Sequence, residues 1–204
     1  MKKTFSVFAL MASMTLFMSA CTSSSQETPP EQAAPVEQEV AAGSTVAQQD
    51  TIKKSIPSQA QGTIGGANIK ISYHSPGVKG RVIWGGLVTY DQVWVTGAHK
   101  ATAVEFDKAV RIDGKEVAAG TYALFSIPGR EEWTIILNKD YEQHLADDYD
   151  QQKDILRVKV RPEILEQHQE RLTYEIKSTT ATEGAITIVW EKILVSLPVS
   201  TTAL

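Results

Sequence analysis

The chain has 204 residues, a formal net charge of −4, 42% hydrophobic and 22% charged residues, and a single cysteine. A modest negative charge with dispersed basic residues excludes the electrostatic footprint of a nucleic-acid-binding protein and leaves no polybasic patch for anionic lipid. One cysteine excludes an intrachain disulfide, so a folded domain must hold together by its core.

At the N-terminus, Lys2 and Lys3 precede an apolar run from Phe5 to Met18. That is a positive n-region and an h-region, too short for the roughly 20 residues that a transmembrane helix needs. Residues 1–20 are expected to be an export signal. Met18, Ser19, Ala20 and Cys21 resemble the lipobox of bacterial lipoproteins. Ordinary signal cleavage needs a small side chain three residues before the cut, and Met18 is not small. Cys21 is therefore expected to carry a thioether-linked diacylglycerol and, on its new amino group, a further acyl chain such as palmitate. Several chains hold a membrane durably where one binds it only marginally. The membrane is the expected partner through that lipid, and Thr22, where an aspartate would signal inner-membrane retention, points to the outer membrane.

Residues 21–57 follow as the lipidated cysteine and a tether rich in Ser, Gln, Glu, Pro and Ala. The tether shows neither the helical nor the strand period and holds too little apolar surface to offset ordering entropy, so it is expected to be disordered. Such a chain reaches roughly 30–35 Å from its anchor.

From residue 58 to 204 the dominant signal is alternation. Ile69, Ile71 and Tyr73 interleave with Lys70, Ser72 and His74, which predicts a strand with one wet face. Val104 with Phe106 repeats the pattern. Asp113 and Gly114 between Val110–Ile112 and Lys115–Val117 form a two-residue hairpin signature. Tyr122 to Ile127 is apolar or small on both faces and predicts a strand in the middle of a sheet. Pro128 and Gly129 mark a reversal before Trp133, Ile135 and Leu137. Short helices are expected at Asp140–Ala146 and from Pro162, where proline suits a first helical turn. Leu156, Val158 and Val160, then Leu172, Tyr174 and Ile176, then Ile186, Ile188 and Trp190 complete the alternating runs. Such alternation belongs to antiparallel sheets, since parallel sheets read as continuous apolar runs. The expected fold is all-β: an antiparallel, Greek-key-like β-sandwich with one or two short helices.

No nucleophile elbow, phosphate loop, zinc-protease helix or dinucleotide fingerprint is present. The histidines His74, His99, His144 and His168 lack the close spacing of a metal site, and no metal or cofactor is expected. Asp147, Asp148, Asp150 and Asp154 superficially suggest a calcium loop. Counted from Asp148, Lys153 stands where the glycine belongs and Lys159 where the bidentate glutamate belongs, so that reading fails. Arg157, Lys159 and Arg161 share one strand face, which reads best as solvated. Trp133 and Trp190 follow the apolar phase of their strands and are expected in the core, whereas Trp84 and Trp94 flank a glycine-containing segment and are candidates for a binding groove.

The chain resembles the DUF2911 family of bacterial exported domains of unknown function from about Thr63 to Pro198. The resemblance is carried by Val78 to Arg81 with Gly85 to Val88, by Val93, Trp94, Thr96, Gly97, Ala98, Ala101 and Thr102, and by Ala119 to Tyr122. Leu124, Phe125, Ile127, Pro128, Trp133 and Asn138 continue it, and Asp154 to Lys159 and Trp190 to Lys192 match the last strands. It implies a compact, mostly β domain and no particular activity. This chain departs from the pattern at Ser75 and Val95, where the family usually has arginines, at His99 and Lys100, where it tends to have Asn and Glu, and at His144 and Leu145, where it tends to have Trp and Gly. Loss of one charge partner tends to be matched by loss of the other, so His74, Ser75, Val95, His99 and Lys100 are expected to mark one respecialised or decayed surface, against independent drift.

A membrane-anchored binding module for a glycan, peptide or protein is the leading functional expectation, its candidate groove made by Trp84, Trp94, His74, His99, Lys100 and Asp91. An envelope hydrolase would need convergent titratable groups, for which Asp91, His99 and Lys100 are the nominees. A structural envelope role would show an apolar patch instead.

Overall fold

The computed structural model describes residues 54–201. The export signal, Cys21 and most of the tether lie outside the described residues. Ten strands form two antiparallel sheets. In chain order they are β1 (Ile56–Ile64), β2 (Ala67–Ser75), β3 (Thr102–Phe106), β4 (Val110–Ile112), β5 (Lys115–Val117), β6 (Gly120–Ile127), β7 (Trp133–Asn138), β8 (Asp154–Val160), β9 (Glu163–Ser178) and β10 (Glu183–Ser200). The larger sheet has the order β1-β2-β3-β6-β7-β8 and the smaller β5-β4-β10-β9. The β4–β5 hairpin leaves the larger sheet between two of its neighbours and pairs with the other, which interlocks the layers. Among the described residues no helix is long and apolar enough to cross a membrane.

The alternating runs become strands with their apolar phase turned inward. Ile69 and Ile71 of β2, Val104 and Phe106 of β3, and Trp133, Ile135 and Leu137 of β7 meet Leu172, Tyr174, Ile186, Ile188 and Trp190 of the smaller sheet in one core. Asp113 and Gly114 both have positive φ, 51° and 71°, the type I′ geometry that matches strand twist. β10 carries a switch that simple alternation does not anticipate. Its buried residues are even-numbered up to Trp190 and odd-numbered from Val195 onward. Glu191, with φ 56°, stands where the pairing with β9 slips. A bulge inserts one unpaired residue and so flips every later side chain to the other face, which lets β10 stay amphipathic over its 18 residues.

Two expectations about helices are corrected. Glu163–Ser178 is strand β9, pairing with β10 as far as Glu163↔Leu194, so the partner strand overrides the helical preference of Glu, Leu and Gln after Pro162. Asp140–Ala146 is an irregular loop. Its backbone groups serve other segments: the Ala101 N–H donates to the Gln143 carbonyl at 3.0 Å and the Leu145 N–H to the His99 carbonyl at 2.7 Å. One 3-10 turn, Gln151–Lys153, is capped by Asp150, whose side chain accepts from the Gln152 N–H. β1 begins at Ile56, two residues before the expected start of the domain.

Tyr122 to Ile127 does run inside the sheet, with β3 on one side and β7 on the other. Its outward residues Ala123 and Phe125 join Ile136, Val95 and Ala101 in a second, smaller cluster, covered by Leu145, Ala146 and Tyr149 of the loop after β7. Asn138, fully buried, ties that loop down. Its Nδ2 donates to the Asp154 carboxylate at 2.7 Å and the Asp150 carbonyl at 2.9 Å, and its Oδ1 accepts from the Asp140 N–H at 2.9 Å. Tyr149 donates to Asp154 at 2.6 Å. Burial, with that hydrogen bond, pushes the Tyr149 phenol well above its ordinary range.

The second cover on this face is the strap from Val93 to Ala101. Thr96 is fully buried with φ 52°, an uncommon left-handed conformation for a β-branched residue. Its carbonyl accepts from the Tyr174 hydroxyl at 2.6 Å and the Thr102 hydroxyl at 3.1 Å, and its own hydroxyl donates to Ser126 Oγ at 2.9 Å. Burial pushes the Tyr174 phenol far above its ordinary value, so it stays a donor. Thr96→Val keeps the shape and removes the hydroxyl, leaving Ser126 without that partner. Chemical denaturation is expected to show a loss of about 1–3 kcal/mol, and a loss near zero would mean that packing alone holds the strap.

Candidate functional site

A cavity of about 800 Å³ opens between the outer face of β1–β3 and the loop after β7. Its floor is the wet phase of the strands: Ser72 pairs with Gln59 on one side and Ala103 on the other, and His74 lies one step along. Tyr141, Glu142, Gln143 and His144 form the facing wall, and Lys100, Pro57 and Ser58 stand at its margins. The strap reaches the wall through an isolated bridge, Lys100↔His144. Thr96 and Asn138 thus hold the two segments that make this groove.

The His74 and His99 rings meet edge to face, 5.3 Å between centroids. His99 is itself left-handed, with φ 65°, a local cost that the strap's hydrogen bonds sustain. Burial, then the neighbouring His99 and Lys100, hold the His74 imidazole below its ordinary value of 6.5, so it is neutral at pH 7. His144 Nδ1 lies 3.1 Å from Asp147. Lys100 and Glu142 have no ion-pair partner among the described residues, although both line the groove. Gln143 is 7% exposed and donates to the Asp140 carbonyl at 2.7 Å, while its Oε1 is buried without a partner. Among the described residues no group of three or more His, Cys, Asp or Glu side chains is placed to hold a metal ion.

The six residues nominated from the sequence fall in three places. His74, His99 and Lys100 come together at the groove. Asp91 does not line it and instead turns the chain at φ 59°, its N–H donating to the Pro128 carbonyl at 2.8 Å. Trp84 and Trp94 are not in the groove either: both are half-buried against Trp133 and Trp190. Trp84 meets Trp133 edge to face at 5.0 Å, and Trp94 stacks on Trp190 at 5.7 Å with planes 19° apart. Burying four large aromatic rings in one cluster is worth more than leaving two as a platform, since each aromatic pair adds about 0.5–1.5 kcal/mol beyond its area. Trp133 and Trp190 are core, as expected. The glycines beside Trp84 serve tight turns rather than a ligand: Gly85 has φ 79°, and the Gly86 N–H donates to the Ile83 carbonyl at 3.2 Å.

The departures marked by the resemblance fall in different surroundings. His99, Lys100, His144 and Leu145 lie on the two segments joined by the bridge, whereas Val95 is buried in the outer cluster and Ser75 faces the smaller sheet, donating to the Leu172 carbonyl at 2.7 Å. Gln59, Ser72, Tyr141 and Gln143 were not singled out from the sequence. The outward phase of β2 pointed to Ser72, but nothing local reveals that a loop some 70 residues later stands over it.

No curated protein and no solved structure matches the chain. A family model described as a protein of unknown function, DUF2911, matches residues 55–199, which spans all ten strands but the last residue of β10. On that match the chain belongs to the DUF2911 family.

Proposed function

We propose that the protein is a lipid-anchored binding module of the cell envelope, taking a small ligand in the groove between β1–β3 and the loop after β7. The groove carries the reading: about 800 Å³ of space where Ala101, Ala103 and the Tyr141 ring lie among polar side chains, with Lys100 and Glu142 in no ion pair among the described residues and Gln143 Oε1 without a hydrogen-bond partner. Ligand sites are typically concave spaces of about 300–1,000 Å³ with few, convergent polar groups. A hydrolase is less well supported, because Asp91 stands apart from His99 and Lys100 and supplies no acid–base partner. The lipid reading rests on Met18 to Cys21, and the outer membrane is proposed from Thr22.

Contrast within the same sheet face strengthens the choice of site. A second depression of about 410 Å³ is lined by Gln61, Asn68, Lys70, Glu105 and Asp107. There the polar groups answer one another: Lys70 pairs with Glu105 at 2.6 Å, and Asn68 donates to Asp107 at 2.7 Å. A ligand would have to break those contacts. In the groove, Lys100 and Glu142 enter no such pair, and the floor contact from Gln59 to Ser72 is long, at 3.4 Å.

Three outcomes follow. Ala103→Trp should fill the floor and abolish the melting-temperature shift given by any ligand found by screening the full-length protein in detergent; a hit that ignores this change binds elsewhere. Fatty-acid labelling in cells should mark the wild-type protein, and label on Cys21→Ser would remove the anchor from this account. The third concerns pH. His74 takes up its proton at lower pH folded than unfolded, so below about 6.5 the unfolded chain binds more protons. Its contribution is nil above that value and grows more unfavourable as pH falls to the folded value. Wild type should therefore melt lower at pH 5.5 than at 7.5, and His74→Asn should lessen that difference; an unchanged difference would assign it to other groups.

A further inference from the structure

The rows of side chains that floor the groove differ in chemistry from the row beside them. Pro57 pairs with His74, and in the next row Gln59 pairs with Ser72 and Ser72 with Ala103. One row further on, Gln61, Lys70 and Glu105 bring charge to the same face, where Lys70 and Glu105 pair at 2.6 Å. The charge stops where the loop after β7 stands over the sheet. With His74 neutral, the polar groups of the floor are an amide, a hydroxyl and an imidazole. Each of the three can both donate and accept a hydrogen bond.

β2 and β3 are paired on both sides, so their backbone groups are engaged in the ladders and a bound molecule meets side chains. An extended peptide that binds by adding to a free strand edge finds none here. Nor is an ion selected, since Lys100 and Glu142 give the margin one charge of each sign, on segments that abut through the Ala101 N–H and the Gln143 carbonyl. Neighbouring strands lie about 4.8 Å apart and alternate residues of one strand about 6.5–7 Å, which spaces Gln59, Ser72 and His74 on the scale of a single sugar ring. The ring of Tyr141, 40% exposed, stands in the facing wall, and Ala103 adds no bulk to the floor. The electron-rich face of an aromatic ring attracts C–H groups. A molecule with an apolar ring face and a rim of groups that both donate and accept matches this surface.

We propose that the groove binds an uncharged glycan, one sugar ring seated on Tyr141 and its hydroxyls bonded to Gln59, Ser72 and His74. This rests on the groove being the binding site. No bond is made or broken. The space holds more than one sugar unit, so a short oligosaccharide binds better than a monosaccharide.

The test is calorimetric titration of the full-length protein, in a detergent without a sugar headgroup, with cellotetraose, maltotetraose and chitotetraose. At least one of the three should bind. Tyr141→Ala should weaken it roughly tenfold, the size of a lost ring contact, while Tyr141→Phe keeps the ring and most of the affinity. Gln59→Ala and Ser72→Ala should each cost roughly threefold to tenfold, as for one neutral hydrogen bond. Raising the salt to roughly 0.5 M, which screens exposed charges, should leave binding unchanged. Melting curves check that each variant is folded. Failure of all three tetrasaccharides to bind would overturn the proposal, as would binding that salt abolishes. If Ala103→Trp still removed the shift of a different ligand found by screening, the groove would stand as the site with the ligand class wrong. Tetrasaccharide binding indifferent to both Ala103→Trp and Tyr141→Ala would overturn the groove itself.

Discussion

The left-handed backbone at Thr96 is the constraint on which the rest of this face depends. A β-branched residue adopts that conformation only where its surroundings over-determine it, and here Tyr174, Thr102 and Ser126 occupy its carbonyl and hydroxyl at once. Tyr174 belongs to the smaller sheet, Thr102 and Ser126 to the larger, so one residue ties both layers to the strap. Without that tie the strap would be an ordinary surface loop. With it, His99 and Lys100 stand at fixed places beside His74, and Ala101 pins the opposite wall through Gln143. Buried polar networks of this kind specify one arrangement when fully satisfied and cost heavily when broken.

A different physics holds the interior. The aromatic cluster of Trp84, Trp94, Trp133 and Trp190 fills one end of the core, with two indole nitrogens, on Trp84 and Trp190, buried without a hydrogen-bond acceptor. Edge-to-face packing at 81° between those two rings sets ring edges against ring faces, the arrangement that aromatic quadrupoles favour. The domain thus leaves two indole donors unsatisfied in its core while the buried Thr96 of the strap has partners for both its carbonyl and its hydroxyl.

How far the sequence could be read follows from the range of each determinant. Period two is local, so the strands at Ile69, Val104, Trp133, Leu172 and Ile186 and the Asp113–Gly114 turn were legible, as was the interior position of Tyr122 to Ile127. The bulge at Glu191 was not, because Trp190-Glu191-Lys192 gives no turn residue and the phase change appears only when the inward set is known. β9 was misread at its start because Glu, Leu and Gln favour helix until a partner strand is present. In the candidate groove, His74, His99 and Lys100 came to notice only through the departures from the family's pattern around Ser75, Val95, His99 and Lys100, and not through any local period. Trp84 and Trp94 misled, since glycines that serve tight turns look the same in sequence as glycines that open a groove. Tyr141 and Gln143 were out of reach, because what matters about them is which distant strand they face.

The start of β1 has a mechanical meaning. Pro57 and Ser58 are at once among the first residues of the first strand and part of the groove's margin. From there β1 is laced to β2 along its whole length, Ile56↔Ser75 through Ile64↔Ala67. The groove's margin is therefore held by an unbroken backbone ladder, and it cannot shift without breaking pairs between β1 and β2.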